Sequence, residues 1–158
     1  MYRNFRKDDE YGKRAEGDFL SLLRSRDKFN ANKYLPVDEY DKTKRKFYDI
    51  INVDTQTKWE VKTDGKSQLT KNAFFEIYNG YGHKTGLLRT WADYYVYRFD
   101  WENGDFYVAD TKKLTLWLFR YPCIVSERCG ETCNYAGIIV PMDTFIKQPF
   151  VVKYRSYL

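Results

Sequence analysis

Asp49 ends the run Lys46-Phe47-Tyr48-Asp49, and eleven positions later stands Glu60-Val61-Lys62. An acid, a short gap and then acid-x-Lys is a minimal kit for cutting a phosphodiester with a hydrated divalent cation. Carboxylates supply the hard oxygen ligands that Mg²⁺ prefers, and an ammonium can orient the attacking water and neutralise charge beside the scissile phosphate. The competing reading is the solvated face of an amphipathic hairpin, which is what most short charged patterns are. Asp49 argues against it. Its neighbours are Phe47, Tyr48, Ile50 and Ile51, and a carboxylate among them is costly to bury without a partner or a cation.

The elements that must carry these side chains are legible from local pattern. Phe47 to Val53 and Lys58 to Thr63 are rich in β-branched and aromatic residues, and the polar Asp54-Thr55-Gln56-Thr57 favours a turn between them. Period-two alternation puts Glu60 and Lys62 on one face of a hairpin, opposite Trp59 and Val61. A turn centred on Thr55 and Gln56 sets Asp49 directly across from Lys62 on that face, whereas a one-residue change of register turns it away. Upstream, the segment from Asp9 to Arg26 has helical period, with Glu16, Phe19, Leu20 and Leu23 at i, i+3, i+4 and i+7. Glu16 therefore rides the apolar stripe, and a nearby cation would give it a reason to be there.

At these residues the chain resembles the PD-(D/E)XK nuclease superfamily, and within it the archaeal-type Holliday junction resolvases and related phage nucleases. Gly12-Lys13-Arg14-Ala15-Glu16-Gly17-Asp18-Phe19-Leu20 is similar to that group's first helix. Tyr48-Asp49 and Trp59-Glu60-Val61-Lys62 are similar to its second and third motifs, and the stretch from Gly86 to Tyr97 to the strand after its second helix. The likeness runs in order from about residue 9 to residue 115. No proline precedes Asp49, and the tail from Tyr121 to Leu158 carries no motif of the group.

The resemblance implies one nuclease domain over 1–158, with a restriction-endonuclease-like core at about 9–120 and a C-terminal extension at 121–158. It implies that Asp49, Glu60 and the Val61 carbonyl hold Mg²⁺ or Mn²⁺ and that Glu16 joins directly or through water. Lys62 would then orient water for in-line attack, leaving a 5′-phosphate and a 3′-hydroxyl. The expected activity is Holliday junction resolution by a homodimer, because two symmetric nicks need two active sites. The Tyr-rich strand from Tyr94 to Phe99 is the expected interface. The alternatives are a nuclease that trims recombination ends or restricts foreign DNA, and a non-catalytic DNA-binding protein that kept the fold.

Charge agrees with a polyanionic partner. Lys plus Arg number 27 against 22 acids, a net charge of +5, and the pI is about 9.0. Phosphate contacts are expected from Lys42, Lys44, Arg45 and Lys46, which lead into the Asp49 strand, from Lys13 and Arg14, and from Lys66, Lys84 and Arg89. The 15 Tyr, 11 Phe and 4 Trp read as core and interface packing, and no stacking residue is singled out.

The remaining elements read as follows. Lys71 to Asn79 is predicted as a short helix with Glu76 on the surface, followed by a Gly-rich loop from Gly80 to Gly86 that could touch substrate. Strands are expected at about 92 to 99 and 105 to 109, a helix over Lys112 to Arg120, and late strands at Ala136 to Val140 and Phe150 to Tyr154. Asn30 to Lys46 reads as a long polar connection. Together these make an α/β (α+β) fold with helices flanking a central mixed β-sheet. Cys123, Cys129, Cys133 and His83 could in principle make a zinc site, but the spacing lacks C-x2-C and an odd count favours free thiols. No apolar run reaches membrane-span length and no signal-peptide pattern opens the chain, so the expected location is the cytoplasm, of a host cell if the chain is viral.

Overall fold

A computed structural model describes residues 5–65, 67–99, 104–120, 124–129 and 135–156. The chain opens with α1 (Phe5–Arg26), then β1 (Tyr34–Pro36), α2 (Val37–Tyr40), β2 (Ile50–Asn52) and β3 (Lys58–Thr63). It continues through α3 (Ser67–Thr70), β4 (Asn72–Asn79), α4 (Gly86–Arg89), β5 (Tyr94–Arg98), β6 (Phe106–Asp110) and α5 (Thr111–Arg120). β7 (Ile124–Cys129), β8 (Tyr135–Pro141), α6 (Met142–Ile146) and β9 (Val151–Tyr154) complete it. A six-stranded sheet runs in the order β1-β2-β3-β5-β6-β9, and a three-stranded sheet in the order β4-β8-β7. Only the β3–β5 pair of the larger sheet is parallel. Parallel neighbours need a crossover, and α3, β4 and α4 provide it. The fold is therefore mixed α/β around a mixed sheet flanked by helices, as the pattern of elements indicates.

Alternation assigns the layers. On β3 and β5, Trp59, Val61 and Val96 face α1 and pack against its buried stripe of Ala15, Phe19, Leu20, Leu22 and Leu23. On the other face, Tyr95 and Tyr97 join Phe75 and Ile77 of β4, Leu114 and Leu118 of α5, Ile138 and Val140 of β8 and Phe145 of α6. Phe75 sits among the rings of Tyr95, Tyr97 and Phe145 at centroid distances of 5.9, 5.5 and 5.3 Å. A further tie joins helix to sheet: Arg98, 1% exposed, reaches across to Asp18 of α1 at 2.8 Å. This pair fixes where α1 lies on the sheet, and Glu16 is two residues away on the same helix.

Several expectations are corrected. Within the predicted helix at 71–79, Asn72–Asn79 form strand β4, because Ala73, Phe75 and Ile77 are buried in strict alternation with Asn72, Phe74 and Glu76. The 30–46 connection holds β1, which pairs with β2 and carries Pro36 at the sheet edge, where no ladder hydrogen bond is lost. The β2–β3 register pairs Ile50 with Trp59 and Ile51 with Lys58, two residues from the expected one. Asn52 is the cause: its side chain accepts the amides of Asp54 and Thr55 and ends the strand early, and Gln56 takes φ 59° to close the loop. A slip of two leaves Asp49 on the same face. The proposed dimer strand is interior: Tyr95, Val96, Tyr97 and Phe99 are buried within one chain, so the interface assigned to it is withdrawn. β7 was not foreseen. Cys123 and Cys133 lie outside the described residues, as do the side chain of Cys129 and the turn at 102–103. No helix among the described residues is long and apolar enough to cross a membrane.

Phe19 is 0% exposed at the centre of the α1–sheet contact, 5.0 Å from the Phe106 ring. Phe19→Ala is expected to cost about 3–5 kcal/mol in urea unfolding; a loss below about 1 kcal/mol would mean that α1 does not pack as described.

Candidate functional site

The site begins where β2 parts from β3. Pairing stops at Ile50 and Trp59, and the backbone of Trp59 then takes the Asp49 N–H at 2.9 Å. Two residues along β3, the Val61 N–H has no β2 partner left, and it donates to the Asp49 carboxylate, Oδ2, at 2.7 Å. A strand residue presents its N–H and C=O to the same side, so the Val61 carbonyl faces this parting too. The Asp49 main chain is pinned as well, because its carbonyl accepts the Val37 N–H at 2.7 Å.

Glu60 and Lys62 project from β3 onto the face opposite α1, beside Tyr95 and Tyr97 of the neighbouring strand. Glu60 is 7% exposed, and its Oε1 takes the Lys62 ammonium at 2.7 Å, with Lys62 partly open to solvent. Glu60 beside it holds the Lys62 ammonium well above the usual lysine range. Burial pushes the Asp49 carboxyl well up, and the charge of Glu60 and then Glu16 adds to that, against the pull of Lys62. Glu16, half-buried on α1, is raised by burial and by Glu60 while Lys62 opposes. The four predicted residues thus form one electrostatic group fed from both sides of the sheet.

A fourth acid joins them. Glu76, read as a surface residue in the sequence, is half-buried on β4; burial raises its pKa, Lys62 and Arg89 oppose the rise, and Glu60 adds to it. Its signal was alternation, which a helical reading of 71–79 concealed. Gly86 lies against it with φ +44°, and a Cβ there would stand 2.6 Å from the Glu76 carbonyl oxygen and 2.9 Å from its Cβ.

The donor chemistry suits a hard divalent cation, because carboxylates outnumber the single ammonium and each keeps an oxygen beyond the bond described. As the side chains stand, no group of three or more His, Cys, Asp or Glu among the described residues is arranged to hold a metal ion. Glu60 is turned to Lys62 and Asp49 to Val61, so a cation would compete with both contacts. His83 is exposed in its loop, where its N–H donates to the Asn79 side chain.

The predicted basic residues lie on three parts of the fold. Lys13 and Arg14 are exposed on α1, and Lys84 and Arg89 are exposed around α4. Lys42, Lys44, Arg45 and Lys46 lie on the strap that leads to Asp49, and Lys44 alone of these is half-buried. Lys66 falls outside the described residues.

The pKa directions set a pH dependence. Between the ordinary carboxylate range near 4 and the raised value of Asp49, the folded chain holds protons that the unfolded chain has released, so stability falls as pH rises. Glu16 and Glu76 act with the same sign. Lys62 acts only in alkali, where its contribution is lost as pH rises through its elevated value. In EDTA the melting temperature is expected to fall as pH rises above the ordinary carboxylate range, and Asp49→Asn is expected to flatten the fall and stabilise the neutral protein. An unchanged slope in that variant would contradict the burial of the Asp49 charge. Gly86→Ala is expected to cost about 2–4 kcal/mol by urea titration, since it strains φ and displaces β4 at Glu76.

Comparison with protein-family models, curated proteins and solved structures finds no significant match to this chain.

Proposed function

We propose that the chain is a divalent-metal-dependent DNA endonuclease with a restriction-endonuclease-like core, and that its substrate is a branched DNA such as a four-way junction. The observation that carries this reading is the parting of β2 from β3, where Asp49, Glu60, Lys62 and the Val61 backbone meet and Glu16 approaches from α1. A surface hairpin would leave these charges in water. Here they are drawn together and partly buried, at a cost in stability that a structural role does not explain.

Asp49, Glu60 and the Val61 carbonyl would hold Mg²⁺ or Mn²⁺, with Glu16 as a further acid. Bound there, the cation would supply Lewis acidity toward the phosphate and neutralise charge that develops on it. The chain's own groups do the rest. The Val61 amide fixes the orientation of the Asp49 carboxylate. Lys62, kept protonated by Glu60, faces solvent enough to reach a phosphate oxygen and to orient water for in-line attack. Exposed lysines and arginines on the 42–46 strap, on α1 and around α4 would hold the backbone without reading sequence. Two symmetric cuts call for a homodimer whose contact lies outside the buried β5 strand, acting in the cytoplasm.

The assay is cleavage of a labelled four-way junction, a linear duplex and a single strand, each with Mg²⁺, with Mn²⁺ and with EDTA. Paired symmetric nicks in the junction that need the cation are expected, and Glu60→Gln and Lys62→Met should each slow them by roughly 10²–10⁴-fold. Cleavage of no DNA by the unaltered chain, or cleavage undiminished in Glu60→Gln, would overturn the reading.

A further inference from the structure

The strap before Asp49 carries an aromatic feature that the cutting chemistry does not use. Phe47 and Trp91 stack face to face, with centroids 3.9 Å apart and planes within 4°. Their backbones are bound together: the Phe47 carbonyl accepts the Trp91 N–H and the Thr90 hydroxyl, each at 2.8 Å. The stack is therefore fixed to the chain two residues before Asp49. Yet Trp91 remains 51% exposed.

Cations crowd this ring pair. Lys44 Nζ lies over the Trp91 ring at 5.1 Å, and Lys46 Nζ over the Phe47 ring at 5.0 Å. Beside them an open concavity of 530 Å³ is lined by Lys42, Thr43, Arg45 and Lys46. The acid of the strap, Asp41, is turned inward onto the Thr43 amide and hydroxyl at 3.0 and 2.6 Å, which shapes the turn. A packing role alone does not call for a half-exposed indole capped by a lysine ammonium. An exposed cation–π contact is weak, whereas a stacked base with its phosphate engages both the ring and the displaced lysine.

We propose that Trp91, backed by Phe47, is a stacking platform for an unpaired base of the DNA strand being cut, and that the Lys42–Lys46 strap grips the adjoining phosphates. The base takes the place of the Lys44 ammonium on the indole, and that ammonium moves to the next phosphate. This rests on the nuclease reading and deepens it: the preferred substrate has unpaired or frayed bases within a few nucleotides of the cut, as a branch point does. Stacking tolerates any base, so the platform selects strand state and not sequence.

The test is binding in EDTA, where no cutting occurs, to a labelled oligothymidylate and to a blunt duplex of the same length. Trp91→Ala is expected to weaken oligothymidylate binding about tenfold and duplex binding by less than about twofold. Trp91→Phe keeps a ring on Phe47 and should restore most of the affinity. In the unaltered chain the oligothymidylate should quench tryptophan emission, and this quench should vanish in Trp91→Phe, which keeps Trp59, Trp101 and Trp117. Lys44→Ala should weaken both probes and lower the salt slope. Equal loss on both probes in Trp91→Ala, no loss on either, or a quench that survives Trp91→Phe would each overturn the platform while leaving metal-dependent cleavage intact. If the unaltered chain binds neither probe, the platform falls, while the nuclease reading stands or falls on the junction-cleavage assay.

Discussion

One hydrogen bond organises the candidate site: the Val61 N–H to the Asp49 carboxylate. β2 leaves the sheet at Ile50, and every further backbone group on that edge of β3 would face the parting unpaired. An orphaned donor inside the fold is expensive. A side-chain oxygen at position 49 meets that need and brings an acid beside Glu60 and Lys62. Structure and candidate chemistry thus share one cause, since the break in pairing requires a carboxylate to close it and so sets an acid beside Glu60 and Lys62.

The electrostatics follow from that geometry. Glu60 contacts the Lys62 ammonium, Asp49, Glu16 and Glu76 are each influenced by that pair, and burial raises the pKa of all three. A fold under selection for stability alone would not keep such a group, because each partly buried like charge opposes the others. Around it the protein is conventionally built. α1 is packed by Phe19 and anchored through Asp18 to the buried Arg98, and the Tyr95, Tyr97 and Phe75 rings support the opposite face.

What the sequence revealed depended on how local each signal was. The α1 stripe, the Glu60–Lys62 alternation, the strands at 94–98 and 106–110 and the helix over 111–120 are written in short periods, and they hold. The hairpin register was misjudged by two because an Asn52 side chain, and not the turn residues, ends β2. The strand at 72–79 resembled a helix because its partner β8 lies some 60 residues away, where no local period can announce it. That error hid Glu76. The Trp91 platform was invisible for the same reason, since Phe47 and Trp91 are far apart in the chain and only the β3–β5 crossover brings them together.

The central claim is that this cluster is a divalent-cation site, and the most direct measurement is anomalous diffraction from a crystal soaked in Mn²⁺. The account predicts a strong anomalous peak at the parting of β2 and β3, contacted by the Asp49 and Glu60 carboxylates and the Val61 carbonyl. Glu60 would be released from its direct contact with Lys62. No peak there at saturating Mn²⁺, with Glu60 still closed on Lys62, would contradict it.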